Sequence, residues 1–134
     1  VPKASTTTPV NVAVRAWTWP ASGRVARGFD NALHKGVDIA GRRGDPVKAA
    51  AGGRVVYAGD GIAGYGLLVI VRHNDEYLSA YGHNDEVLVP EGAVVRAGQT
   101  IARFGSSGTD TVKLHFEIRR GGRPVDPRRL LPTR

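Results

Sequence analysis

Cysteine is absent from the 134 residues. That absence excludes disulfide staples, thiolate metal sites and a cysteine nucleophile, and it leaves the compartment open. One domain of this length buries roughly two thirds of its unfolded surface in a single core, so no staple is needed. Long apolar runs are missing too: nothing approaches the roughly 18 continuous apolar residues of a membrane-spanning helix. Residues 1–9 lack the apolar centre of a signal peptide. Their Ser/Thr/Pro content reads as the end of a linker, which assigns residues 1–14 to linker and 15–134 to one folded domain. An upstream region carrying the address is therefore expected.

Acidic side chains are the scarcer sign. Twelve Asp plus Glu face nineteen Lys plus Arg, a net charge of +7. This surplus favours an acidic partner: an anionic polymer, a lipid surface, an acidic protein or nucleic acid. Nucleic acid is set aside, because no binding-module signature is present and the arginines are scattered except near the C-terminus.

Helical periodicity is also lacking, since glycine or a β-branched residue interrupts every stretch of ten. Strand patterns recur instead. Residues 54–58 are bounded by glycines, and residues 67–71 form a continuous apolar run suited to a buried central strand. Residues 77–81 follow the polar turn Asn74-Asp-Glu76 as the second arm of a hairpin. Short strands at 94–95 and 100–104 precede a last one from Lys113 to Arg119. Trp17 and Trp19 flank Thr18 as on one face of an edge strand, where core packing explains them better than ligand contact. Residues 125–131 make one helical turn, with Asp126 as cap and Pro127 at the first position. Six or more short strands between glycine-rich turns indicate an antiparallel all-β domain, closed or sandwiched to protect its edges.

Two short motifs carry the candidate chemistry. In His34-Lys-Gly-Val-Asp38 an extended backbone points residues 34, 36 and 38 the same way, so both polar side chains converge over Gly36. In Lys113-Leu-His115-Phe-Glu117, Lys113, His115, Glu117 and Arg119 share one face, while Leu114, Phe116 and Ile118 form a core face. His34, Asp38 and His115 together make a plausible zinc set of two imidazoles and a carboxylate, leaving room for water. Histidines at such spacing also serve as ordinary surface or hydrogen-bonding residues, and spacing alone leaves both readings open. His83 follows a strand and is a candidate general acid or base on the same face. His73 reads as a turn residue. The glycines of Gly64-Tyr-Gly66 and Gly105-Ser-Ser-Gly108 can frame a groove, although turns in a compact β fold account for them without one.

From about Trp19 to Pro132 the chain resembles the lysostaphin-type metallopeptidase domain, or LytM domain. The likeness rests on His34-Lys-Gly-Val-Asp-Ile-Ala40, Gly53-Arg-Val-Val-Tyr-Ala-Gly59, Gly64-Tyr-Gly66, the segment from His73 to Asn84, Val95-Arg-Ala-Gly-Gln99 and Leu114-His-Phe-Glu-Ile118. Within the family it is most similar to the members that activate murein hydrolases. The resemblance implies a compact antiparallel β-sheet with glycine-rich loops around a groove. It implies zinc ligands at His34, Asp38 and His115, and a histidine acting on metal-bound water at His83. A second such histidine is expected where this chain has Lys113, and there the pattern fails. A lysine cation raises the electrostatic cost of zinc binding, and losing an acid–base partner typically costs about 10²–10⁴-fold in rate. The implied function is activation of a peptidoglycan N-acetylmuramoyl-L-alanine amidase during cell separation; the alternative is a zinc-dependent endopeptidase cutting peptide cross-bridges. The implied setting is the periplasmic face of the envelope, as an outer-membrane lipoprotein anchored through a region outside this chain.

Overall fold

The computed structural model describes residues 14–134, so the linker reading of residues 1–13 lies outside the described residues. Ten strands form among them: β1 (Val25–Arg27), β2 (Val37–Ala40), β3 (Pro46–Lys48), β4 (Gly53–Gly59), β5 (Leu67–Arg72), β6 (Tyr77–Val87), β7 (Val94–Val95), β8 (Thr100–Phe104), β9 (Lys113–Arg120) and β10 (Arg123–Val125). Every pairing between them is antiparallel, as an all-β reading requires. The expected turn near the C-terminus is a 3-10 turn at Pro127–Arg129, with the Asp126 carboxylate accepting from the Arg128 N–H at 3.1 Å. No helix of the described residues is long and apolar enough to cross a membrane.

The main sheet runs β1-β2-β9-β6-β5-β4-β7, with β10 added to β9 and with β8 linking β6 to β3. A closed or sandwiched sheet was expected, but the sheet stays open and branches. The cause is β6, which is 11 residues long and changes partners along its length. Tyr77 to Gly82 pair with β9, whereas Asn84 to Val87 pair with β8. Short ends protect the edges instead, since β1 has 3 residues and β7 has 2.

One apolar cluster unites the branch with the main sheet. Val47 of β3 and Ile101, Ala102 and Phe104 of β8 pack with Val37 and Ile39 of β2 and with Leu114, Phe116 and Ile118 of β9. The alternation read along the last strand is thus realised, and its other face is left for polar groups. Gly36 sets how closely the two site-bearing strands approach. A Cβ there would lie 2.2 Å from the Phe116 carbonyl oxygen, so only glycine fits.

Two local expectations are corrected. Trp17 and Trp19 lie on no strand among the described residues; Thr18 instead donates a single backbone bond to the Ala50 carbonyl at 2.8 Å. Pro20 has no N–H to extend a ladder, and the Trp17 ring is inserted into the core, edge-on to His73 and Tyr77. Trp19 packs against the same cluster and donates its Nε1–H to the Pro132 carbonyl at 2.7 Å.

His73 is a buried core histidine and not an exposed turn residue; the turn is made by Asn74, whose Oδ1 accepts from the Glu76 and Tyr77 N–H groups. Its Nδ1 lies 2.7 Å from the Gly52 carbonyl, and its Nε2 lies 2.8 Å from Ser79 Oγ. The chain continues to the Tyr81 hydroxyl at 2.6 Å, which accepts from the Ala50 N–H at 2.9 Å. Burial lowers the His73 pKa and favours the neutral ring. Because a carbonyl only accepts, the proton sits on Nδ1, and each hydroxyl donates toward His73.

Replacing Gly36 with alanine drives a methyl into the Phe116 carbonyl. Overpacking of this kind costs roughly 1–3 kcal/mol, so thermal unfolding of Gly36→Ala is expected about 5–10 °C below the parent. An unchanged Tm would show that β2 and β9 have slack at this point.

Candidate metal centre

The register of β2 on β9 places Asp38 opposite His115 and Ala40 opposite Lys113. On the other side of β9, His115 faces Gly82 of β6, which has no side chain to crowd the ring. His34 lies just before β2 and is fixed by reciprocal backbone bonds with Asp30, at 2.8 and 2.9 Å. His34 Nε2 lies 3.2 Å from Asp38 Oδ1, and His115 Nδ1 lies 2.7 Å from the same oxygen. Lys113 Nζ donates to the other oxygen, Oδ2, at 3.1 Å.

His83 reaches this face through a break in β6. The β5–β6 register shifts between Leu67 and Val69, and His83 has φ 67°, the one positive φ at a non-glycine among the described residues. Strict alternation would turn its side chain toward the core; the bulge puts it in the cleft instead. Its ring centroid is 6.1 Å from that of His115, and its Nδ1 lies 2.7 Å from the Ser107 carbonyl. The loop glycines, readable as plain turns, do frame the cleft. Gly64, Tyr65, Gly108 and Thr109 line a hollow of about 420 Å³ with His34, Asp38, His83, Lys113 and His115. Gly66 and Gly108, at φ 62° and 70°, allow the two loops to touch, since a Cβ on Gly66 would meet the Ser107 carbonyl at 2.1 Å. A larger hollow of about 660 Å³ between Trp19, Phe104 and Arg134 is lined by no histidine.

Three participants carry no role in the sequence reading. Glu117 is 1% exposed, yet its Oε2 lies 2.7 Å from His115 Nε2 and accepts from the Tyr65 hydroxyl at 2.8 Å. Arg119 grips the other oxygen, Oε1, through Nε at 2.9 Å. The spacing of Glu117, two residues beyond His115 on one strand face, was the available signal for it. Nothing in sequence singles out Tyr65 except its flanking glycines.

These contacts set the charge states. Burial opposes ionisation of Asp38, but hydrogen bonds from His115 and Lys113 outweigh it and hold the carboxyl well below the usual range. For His115, burial favours the neutral ring, yet the bonds to Asp38 and Glu117 prevail and raise its pKa to about 8. Glu117 is likewise buried but kept ionised by His115, Tyr65 and Arg119. His83 is pushed down by burial, with the neighbouring His115 and Lys113 charges adding to the effect.

The donor set fits a zinc ion. The ligand atoms of His34, Asp38 and His115 all lie within 4.8 Å of one another. Nδ1 of His34 is 2.9 Å from the Gly28 carbonyl, so that nitrogen carries the proton and Nε2 keeps its lone pair for the site. Glu117 performs the same service for His115: with Nε2–H held by the carboxylate, Nδ1 faces Asp38.

The model of peptidase family M23 matches residues 32–127. The chain belongs to peptidase family M23. M23 peptidases are zinc-dependent. A Pseudomonas aeruginosa protein named lipoprotein NlpD/LppB homolog is 60% identical over 124 residues, covering 91% of this chain and 42% of that protein. The murein hydrolase activator NlpD of Escherichia coli is 51% identical over 131 residues, covering 96% of this chain and 34% of its own length. The chain therefore spans between about a third and two fifths of the length of these curated relatives. Among solved structures, a zinc-containing peptidase from Vibrio cholerae superposes with a TM-score of 0.78 at 31% identity, over 84% of this chain and 39% of that one. The M23 fold accounts for the open sheet and loop-framed cleft, and the LytM resemblance read from the motifs is correct.

The raised pKa of His115 makes the metal-free M23 domain sensitive to alkali. Its folded pKa of about 8 exceeds the ordinary 6.5, so the stabilisation is complete below pH 6.5 and lost as pH rises through 8. That loss is roughly 2 kcal/mol. His73 acts oppositely, because its lowered pKa withdraws stability on acidification below about its unfolded value. Thermal unfolding of chelator-treated protein is expected to fall by several degrees from pH 6.5 to 9, and His115→Gln should flatten that fall; a flat profile in the parent would contradict the ion pair.

Proposed function

We propose that this M23 domain activates a peptidoglycan N-acetylmuramoyl-L-alanine amidase during cell separation and has little or no hydrolytic activity of its own. The observation that carries the proposal is Lys113. It stands where active members of the family are expected to hold a second imidazole, and it is committed to Asp38 at 3.1 Å. An ammonium donates hydrogen bonds and accepts none, so this side of the cleft has no group to take a proton. Relatives named as murein hydrolase activators, 51% identical to this chain, support the same reading. Relatives named as lipoproteins support an envelope location, and we place the domain on the periplasmic face, tethered at the outer membrane. The net charge of +7 suits an acidic amidase element or the anionic wall itself.

His34, Asp38, His83 and His115 line one cleft, which gives the endopeptidase alternative its footing. We assign His34, Asp38 and His115 as the ligands that would hold zinc. When bound, the ion would act as a Lewis acid and lower the pKa of a bound water. His83 is the remaining base: its pKa is lowered, and Nδ1 is tied to the Ser107 carbonyl, which leaves Nε2 as the nitrogen able to accept a proton. Glu117, Arg119 and Tyr65 orient His115 from behind. On this assignment the chain holds one acid–base histidine of two.

Purified wall provides the test. The domain alone is expected to release little from peptidoglycan with or without zinc, and to raise the turnover of a cognate amidase severalfold in both conditions. Metal-dependent cleavage by the domain alone, abolished by His115→Ala, would sink the activator reading in favour of the endopeptidase. In the same assay Lys113→His should gain zinc-dependent cleavage of about 10²-fold or more over the parent, the usual worth of one acid–base group.

A further inference from the structure

Asp38 divides its two oxygens between two kinds of partner. Oδ1 faces the nitrogens of His34 and His115, and Oδ2 accepts from the Lys113 ammonium. A carboxylate on a residue this buried needs a compensating charge, because a buried ion without one is strongly unfavourable. In a metal centre the ion supplies it. Here a covalently tethered cation already sits on the carboxylate.

The geometry makes this more than a surface ion pair. The Lys113 side chain is 25% exposed and that of Asp38 4%, so the pair joins a buried acid to a cation at the cleft wall. Ala40, opposite Lys113 in the register, is too small to block the diagonal from Lys113 to Asp38. The rest of the cluster is held by the protein's own groups: His34 by the Gly28 carbonyl, and His115 by Glu117, which Arg119 and Tyr65 hold in turn. None of these supports requires an ion.

We propose that Lys113 is a resident cation in the electrostatic place of the metal. The His34–Asp38–His115 cluster and its cleft assemble without zinc, and zinc binds weakly because it meets the ammonium at Asp38. The inference goes beyond the amidase reading and does not depend on it, since it concerns only the chain and zinc.

The experiment takes the purified 134-residue chain, strips it with a chelator, and uses zinc ion alone as ligand. Metal content, zinc affinity by competition with a chromophoric chelator, and Tm with and without zinc are measured. The parent is expected to carry far less than one zinc per chain and to keep its Tm on chelation. Lys113→Gln, which removes the charge, should bind zinc at least about tenfold more tightly. Its metal-free Tm should fall below that of the parent and be regained with zinc. Lys113→Arg keeps the charge and should bind zinc as weakly as the parent. Stoichiometric zinc in the untreated parent with a chelator-sensitive Tm would overturn the proposal, as would equal zinc affinity in the parent and Lys113→Gln. Should Lys113→Gln not fold even with zinc, the parent's metal content and chelator response decide alone. An amidase left unstimulated would count against the functional reading and leave the zinc comparison intact.

Discussion

The antiparallel register of β2 on β9 governs both halves of this molecule. Setting Asp38 against His115 sends Val37 and Ile39 to the same side as Leu114, Phe116 and Ile118, so one choice of register fills the core and builds the cleft together. A slip of β2 by one residue on β9 would turn Asp38 into the apolar cluster and Val37 and Ile39 out into the cleft. The cost of burying the Asp38 carboxylate without partners while exposing two core side chains opposes that slip. Gly36 guards the register from the loop side, because only a residue without Cβ can pass the Phe116 carbonyl.

Along β9 and across to β2 the charges alternate: Arg119, Glu117, His115, Asp38, Lys113. Each buried acid is bracketed by cations, which explains why burial fails to neutralise either carboxyl. Such a row gives little net stability over an apolar equivalent, but removing any single member leaves an uncompensated charge. Its structural worth is therefore orientation. It fixes which nitrogen of His115 faces Asp38, and that is the property a metal or a lysine can exploit.

Much of this was legible in the amino-acid sequence, for a physical reason. Period-two alternation in 113–119 states its two faces openly, and residues 67–71 read as buried on both sides. Several short motifs in one order, from residues 34–40 to 114–118, carried the family likeness. What escaped depended on departures from regular geometry. His83 was named for the cleft, but the bulge and left-handed backbone that bring it there are foreseen by no spacing rule. The branching of β6 hides within a run that looks like one strand. His73 looked like a turn residue because the turn directly follows it, while its ring points inward to Gly52 and Ser79. Glu117 was visible on the right face, yet its role required knowing that His115 turns Nε2 toward it.

Lys113 opens the strand whose core face holds the domain together, yet its own side chain belongs to the cleft and contributes nothing to that core. The fold is consequently indifferent to what stands at this position, provided the charge on Asp38 is met. An imidazole beside a metal ion meets it one way, and a lysine meets it another. Exchange at one cleft position can therefore remove a proton acceptor while the sheet, the loops and the cluster of His34, Asp38 and His115 persist. That separation makes the form of the cleft independent of which group stands at residue 113.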